Sequence, residues 1–148
     1  MKKLILSILI LLGGIFSVSA QLRTIPAAVT DALKSRYPNA TGVSWKDRLS
    51  YFVANFGMDN QKYEARFTEN GEWKSTEKAI EEDQLPDNVK DGFSKSKYAD
   101  WEMKEFYLIE LPDDVVEYRV HIAKNDVQKK NLLFSNEGQL IKDNITLK

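Results

Sequence analysis

The sequence predicts an α+β fold in which tandem α-β-β-β-β repeats form an antiparallel sheet, with the helices packed on one face and the other face open. Three pairs of similar segments carry this prediction. They are residues 25–29 and 85–89, each with proline second; residues 51–53 and 118–120, each beginning with tyrosine; and residues 67–71 and 134–138, each running from phenylalanine to glycine. A supersecondary unit that recurs in this way indicates a repeat architecture, here with copies at about residues 24–77 and 84–147.

Residues 1–20 have the pattern of a secretory signal peptide. Lys2 and Lys3 precede an apolar run over residues 4–16, and small residues end the segment at Ala20. A membrane-spanning helix needs about 20 apolar residues, which is more than this run supplies. We therefore predict cleavage before Gln21, leaving residues 21–148 as one domain in the periplasm or secreted. The alternative is an uncleaved N-terminal anchor.

The composition excludes several functional classes. Removal of residues 1–20 takes away two of the 21 basic side chains and none of the 22 acidic ones, so the net charge is near −3. This balance disfavours binding of nucleic acid and of anionic lipid surfaces, which both reward clustered cations. The absence of cysteine excludes disulfides, thiol catalysis and thiolate metal sites. The fold must therefore depend on burial of apolar side chains.

Each predicted unit begins with a short helix. Pro26 suits a first helical turn, and Pro38 ends the helix that the pattern predicts over residues 24–37. Pro86 begins the second helix, in which Gly92 lowers helix propensity by about 1 kcal/mol relative to alanine. The apolar positions spaced four apart, which predict the buried stripes, are Val29, Leu33 and Tyr37 in the first helix and Val89 and Phe93 in the second.

Alternating apolar and polar residues predict strands after each helix. The predicted strands are residues 43–45, 51–56, 63–67 and a strand at Trp73, then 101–111, 116–123, 131–135 and 140–147. Short turns at residues 58–61, 70–71, 112–114 and 136–138 indicate antiparallel neighbours. The polar segment 75–84 is predicted to be a joint between the two units.

No catalytic constellation is recognisable in the sequence. His121 is the single histidine, and a role as general base oriented by Glu117 would require contact over about 13 Å along one strand. A cross-strand polar role is therefore favoured. The sequence has no nucleophile elbow, no spaced set of zinc ligands and, beyond residue 20, no glycine-rich phosphate loop. We expect a protein that is not an enzyme and that binds neither a cofactor nor a metal.

Large apolar groups alternate on both sides of the strand at residues 51–56, and one of these sets must be covered by something other than the helices. An exposed sheet face with aromatic and charged side chains is typical of a protein-binding surface. The residues predicted to bind a partner are Phe52, Phe56, Glu117, Arg119 and His121. Positions where the units differ, Phe52 against Arg119 and Ala54 against His121, are expected to matter most, together with the extra turn at Pro112.

The chain resembles the PepSY-like, β-lactamase-inhibitor-like family of exported bacterial proteins typical of Bacteroidetes. The motifs that carry the resemblance lie at residues 26–29, 37–40, 43–45, 51–53 and 67–73. The second unit departs from them, because Ala99 rather than proline follows Tyr98 and because the first hairpin is longer. The resemblance implies a concave sheet that is laid over a partner, as in an inhibitor of a lactamase, or a domain that restrains a peptidase. It assigns no inhibitory residue.

Two functions remain open at this point. The first is an exported, non-catalytic binding module, inhibitor-like in its mode, whose open sheet face engages an envelope protein such as a peptidase, a hydrolase or a sensor. The expected protein is monomeric, binds no nucleic acid and has no membrane anchor after signal cleavage. The alternative is a cell-envelope protein that responds to a small ligand or an ion in a crevice between the sheet and the helices.

Overall fold

The computed structural model describes residues 24–145 and shows one antiparallel sheet of eight strands in chain order, with two helices. The predicted signal peptide and the end of the last predicted strand lie outside the described residues. The helices are α1 (Ala27–Arg36) and α2 (Asp87–Ser94). The strands are β1 (Thr41–Arg48), β2 (Tyr51–Met58), β3 (Gln61–Phe67), β4 (Trp73–Ile80), β5 (Glu102–Glu110), β6 (Val116–Ala123), β7 (Lys129–Ser135) and β8 (Leu140–Ile145).

Both helices begin directly after a proline, whereas the sequence predicts that Pro26 lies within the first helical turn. Pro26 and Pro86 have extended backbone angles, and their carbonyl oxygens accept the first hydrogen bonds of the helices. Helix α1 therefore starts at Ala27, three residues later than the predicted start. The helices bury the predicted Val29 and Leu33 in α1 and Val89 and Phe93 in α2. Tyr37, the third residue of the first predicted stripe, lies just after α1 and is half-buried.

The strand register places the buried side chains that pack under the two helices on one face of the sheet. Phe52, Ala54 and Phe56 of β2 pack under α1, and Tyr118, Val120 and Ile122 of β6 pack under α2. Cross-strand pairing from Phe52 through β3, β4 and β5 to β6 keeps these six side chains on the same side. We call this side the helix face and the opposite side the open face.

The two halves of the sheet join through β4 and β5. Strand β4 pairs with β5 from Thr76 opposite Glu110 to Ile80 opposite Phe106. The prediction of a polar joint over residues 75–84 is therefore wrong for residues 75–80, which belong to β4. Thr76 is 2% exposed, and its hydroxyl group accepts a hydrogen bond from Trp73 Nε1 at 2.8 Å and also bonds the Tyr37 hydroxyl. These bonds satisfy the polar side chain and hold the end of α1 on β4.

Helix α2 touches a hairpin backbone at a glycine. Gly138, between β7 and β8, has φ +83°, and a Cβ added there would overlap with the carbonyl oxygen of Asn88. Gly92 faces the same turn, and its Cβ would overlap with the Gly138 carbonyl oxygen. The glycine that lowers the propensity of α2 is thus required by this close approach. Asn88 Nδ2 also donates a hydrogen bond to the Asn136 carbonyl oxygen at 2.5 Å.

Asp143 links β8 to the segment after α2 and should make stability depend on acid. The Tyr98 hydroxyl donates a hydrogen bond to the Asp143 carboxylate, and Lys97 Nζ lies 3.1 Å from the same carboxylate. Both bonds lower the pKa of Asp143 from its ordinary 3.8, and the bond from Tyr98 has the larger effect. A group with a lowered folded-state pKa stabilises the fold above its unfolded pKa, and that contribution disappears as the pH falls through the folded-state value. We therefore expect the stability difference between wild type and Asp143→Asn to be constant above about pH 5 and to shrink below pH 4.

Urea unfolding followed by tryptophan fluorescence between pH 2.5 and 7 measures this difference. Tyr98→Phe keeps the ring but removes the donor, so its own stability difference from wild type should shrink over the same acidic range. A wild-type to Asp143→Asn difference that stays constant down to pH 2.5 would contradict the linkage.

Candidate functional site on the open face

A network of polar and aromatic side chains crosses the centre of the open face. Arg119 of β6 donates two hydrogen bonds to the carboxylate of Glu77 on β4, one of them from Nε to Oε2 at 3.1 Å. It also donates from its NH1 group to Asn131 Oδ1 on β7 at 3.2 Å. The side chains of Arg119 and Glu77 are only 26% and 17% exposed. One guanidinium group therefore connects strands from the two halves of the sheet.

Tyr107 of β5 lies between these strands and stacks on the guanidinium group. The Arg119 Cζ atom is 3.9 Å from the centre of the Tyr107 ring, a distance at which cation–π attraction is favourable. The hydroxyl group of Tyr107 donates to Glu105 Oε2 at 3.0 Å. Burial raises the pKa of Tyr107, the bond to Glu105 raises it further, and the Arg119 charge opposes both effects. Tyr107 therefore keeps its proton at neutral pH and acts as a hydrogen-bond donor.

His121 and Arg119 meet at one acceptor. The Nδ1 atom of His121 lies 3.1 Å from Asn131 Oδ1, the same oxygen that Arg119 contacts. The histidine thus has the cross-strand polar partner that the alternating pattern favours. Glu117 lies on the same face of β6 and is paired across strands with Ile109 and Ser135. It lines a separate cavity of about 290 Å³ together with Asp114 and Glu137.

The structure places Phe52 and Phe56 elsewhere, and the expectation that they bind a partner is wrong. Their exposed fractions are 0% and 4%, and both belong to the core under α1. The open face of β2 carries Tyr51, Val53 and Asn55 instead. The reason is the register: matching Tyr51 to Tyr118 puts Phe52 opposite Arg119, whereas the sheet puts Phe52 and Tyr118 on the same face. A shift of one residue moves every side chain of a strand to the other face.

The sequence reasoning missed Glu77, Tyr107 and Asn131. Glu77 lies in the segment that was predicted to be a joint, and Tyr107 and Asn131 lie on predicted strands with no local motif to mark them. Arg119 contacts Asn131, which is 12 positions away in the chain, and Glu77, which is 42 positions away. Alternation along β5 and β7 predicts their face, but only the strand order brings them to one guanidinium group.

The arrangement supplies a set of hydrogen-bond donors and acceptors on the open face. No group of three or more His, Cys, Asp or Glu side chains that could hold a metal ion occurs within residues 24–145. His121 shares the amide oxygen of Asn131 with Arg119. Arginine, tyrosine and asparagine held in one network can donate and accept hydrogen bonds without rearranging.

The Arg119–Glu77 pair should show strong energetic coupling. A double-mutant cycle with Arg119→Met and Glu77→Gln is expected to give a coupling free energy of about 1–3 kcal/mol, because both groups are largely buried and two hydrogen bonds join them. The matched control is the Arg66–Glu64 pair on the same face, which is 3.0 Å apart but 45% and 30% exposed. Exposed pairs contribute about 0–1 kcal/mol. Urea unfolding measures both cycles. Equal coupling in the two would contradict the inference that the Arg119–Glu77 pair holds the two halves of the sheet together.

Neither helix within residues 24–145 has the length and apolar character needed to cross a bilayer. Three solved structures from Bacteroides are similar to this chain. A DUF2874 family protein from Bacteroides uniformis is 28% identical with a TM-score of 0.74, covering 81% of this chain and 88% of its own. A "putative periplasmic" protein from Bacteroides eggerthii is 26% identical with a TM-score of 0.74, covering 83% and 90%.

A BLIP-like protein from Bacteroides fragilis is 29% identical with a TM-score of 0.73, covering 86% of this chain and 91% of that one. No curated protein sequence matches the chain. The family model described as "Putative beta-lactamase-inhibitor-like, PepSY-like" matches residues 50–142, a span that includes β2 to β7 and the whole Arg119 network. The chain therefore belongs to the β-lactamase-inhibitor-like, PepSY-like family.

Proposed function

We propose that this protein is an exported, non-catalytic binding module, inhibitor-like in its mode, which engages an envelope protein through the open face of its sheet. The observation that carries the proposal is the Arg119 network at the centre of that face. Arginine and tyrosine, together with tryptophan, are enriched among the residues that dominate binding energy at protein interfaces. Because their side chains are already held in place, a partner would lose little of its binding energy to ordering them.

The proposed contact residues are Glu117, Arg119 and His121, joined by Tyr107. Three of these four side chains form a continuous set around the Asn131 and Glu77 anchors, and Glu117 extends the face toward the β5–β6 hairpin. The family description and the BLIP-like and periplasmic relatives support a protein-binding role in the envelope. The export signal over residues 1–20, the domain over 21–148 and the monomeric state are parts of the same proposal.

The proposal includes an origin of the sheet as tandem repeats at about residues 24–77 and 84–147. Support comes from the order of elements, a helix and four strands followed by a helix and four strands. Gly71 and Gly138 add to it, since they have φ values of +82° and +83° and each meets the first turn of a helix. Superposition of the two halves tests the idea. Helix-face residues of one half should coincide with those of the other, and Phe52 should superpose on Tyr118.

Site-specific photo-crosslinking in the native envelope tests the binding surface. Benzoylphenylalanine at position 66 or 105, both exposed on the open face, should trap a protein adduct that mass spectrometry can identify. The matched control positions are Lys34 on α1 and Lys90 on α2, which should give none. Adducts from the helix positions alone, or no adduct at any of the four positions, would overturn the proposal.

The small-ligand alternative has one observation in its favour. A cavity of about 310 Å³ opens on the helix side of β4 and β5, lined by Arg36, Trp73, Glu110 and Val116, and the Arg36 guanidinium group stacks 3.4 Å above the Trp73 ring. A thermal-shift screen against calcium, peptides and cell-wall fragments tests it, because a ligand that binds only the folded state raises Tm. Flat results across the screen would remove this alternative.

A further inference from the structure

The open face of strands β1 to β4 is cationic although the whole chain carries a net charge of −1. Register places four basic side chains on this part of the face: Lys46, Arg48, Lys62 and Arg66. The carboxylates on the same strands and face are Glu64 and Glu77. Both are engaged, Glu64 by Arg66 and Glu77 by Arg119. The first half of the open face therefore presents an excess of positive charge.

An apolar floor lies beneath these cations. Val53 is 4% exposed although it is on the open face, and its cross-strand neighbours are Lys46 on β1 and Arg66 on β3. Lysine and arginine commonly cover apolar groups with their methylene stems while the charged ends remain in water. Val53 is thus covered on this face, while the cationic side chains Lys46 and Arg66 beside it are exposed.

A cavity of about 440 Å³ opens beside this floor, where β2 and β4 begin and β3 and β5 end. Tyr51 and Leu111 supply apolar walls, and Arg66 and Lys74 stand at its sides. Their side chains are 45% and 48% exposed. Each cation is paired with a glutamate two residues earlier in the chain, Arg66 with Glu64 on β3 and Lys74 with Glu72 just before β4. Exposed pairs of this kind are weak, so an incoming carboxylate can compete for both cations.

We propose that the cationic half of the open face binds an acidic segment of a partner protein, with an apolar or aromatic side chain in the cavity between Tyr51 and Leu111 and carboxylates on Arg66 and Lys74. This inference rests on the proposed function and names the chemistry of the partner. Charge complementarity sets which partners associate and how fast, and the cavity can hold one anchor side chain. A basic or neutral segment would form no favourable charge interaction with Arg66 and Lys74.

Panning a random peptide library on the purified protein tests the inference without knowing the partner. Peptides enriched on wild type should combine Asp or Glu with an adjacent aromatic or aliphatic residue. Enrichment should fall at least tenfold on Arg66→Glu/Lys74→Glu and persist on Lys34→Glu/Lys95→Glu, which makes the same change in net charge on α1 and at the end of α2. Affinity of a selected peptide should also fall between 50 and 300 mM NaCl.

Several outcomes would overturn the inference. They are enriched peptides that are neutral or basic, equal enrichment on both double variants, and no enrichment on wild type. Binding of phosphatidylglycerol vesicles but not of peptides would assign the cations to a lipid surface, and sedimentation of a wild-type dimer that is lost in Arg66→Glu/Lys74→Glu would assign them to a second copy. Photo-crosslinking at position 105 that succeeds while Arg66→Glu/Lys74→Glu leaves the adduct unchanged would overturn this inference and leave the binding function standing.

Discussion

Gly138→Ala is expected to destabilise the protein by about 3 kcal/mol, the sum of about 1–2 kcal/mol for a left-handed backbone and a similar cost for overpacking. The φ of +83° is unfavourable for alanine, and the new methyl group would overlap with the Asn88 carbonyl oxygen. Because that oxygen belongs to the first turn of α2, relief of the overlap requires the helix to move off the β7–β8 hairpin. The loss of stability should therefore exceed that of an ordinary turn substitution.

Gly42→Ala is the matched control. Gly42 also has a positive φ, +60°, but a Cβ there would meet no atom within 4 Å. Its substitution should cost about 1–2 kcal/mol, the backbone contribution alone. Urea unfolding followed by tryptophan fluorescence measures both variants. Equal losses would show that the approach of α2 to Gly138 contributes nothing, and the packing argument would be wrong.

Phe52→Ala is expected to cost about 3–5 kcal/mol, as is usual for a fully buried aromatic residue. Phe52 is 0% exposed, lies opposite Phe67 on β3 and belongs to the core that contains Val29 and Leu33 of α1. The cavity left by its ring would lie beneath the helix. A charged residue at this position would affect any binding assay by unfolding the protein rather than by altering a contact.

Tyr51→Ala provides the comparison, since Tyr51 is adjacent in sequence but lies on the open face and is only half-buried. We expect it to lose about 1–2 kcal/mol, in proportion to the smaller apolar area removed from water. Chemical unfolding of the two variants separates the faces of β2. A Phe52→Ala loss no larger than that of Tyr51→Ala would contradict the placement of Phe52 in the core.

Local signals predicted the elements of this fold well. Prolines mark both helix starts, period-four spacing marks Val29, Leu33, Val89 and Phe93 as buried, and residues 116–123 form a strand over the predicted range. These features depend on interactions within a few residues, so the local sequence is sufficient to indicate them. The predicted joint over residues 75–84 failed for residues 75–80 because β4 is polar on both faces. A strand whose threonine is satisfied by Trp73 and Tyr37 has no apolar alternation to reveal it.

The candidate site was predicted only in part. Alternation along β6 correctly grouped Glu117, Arg119 and His121 on one face, away from Tyr118 and Val120. The same reasoning could not relate β6 to β2, because strand pairs within the sheet set which side of β2 faces the helices. Similarity between Tyr51 and Tyr118 suggested a match that is displaced by one residue, and this displacement exchanged the core for the surface.

By itself, the sequence determined that the chain forms an α+β domain of short helices and antiparallel hairpins, because propensity, spacing and turn chemistry act over a few residues. The tertiary structure alone decided that β4 and β5 are the strands that join the two halves, that Phe52 is core, and that Glu77, Tyr107 and Asn131 meet Arg119. Those features depend on the register and order of strands far apart in the chain. A one-residue change in register is nearly invisible in composition, yet it decides which side chains a partner can reach.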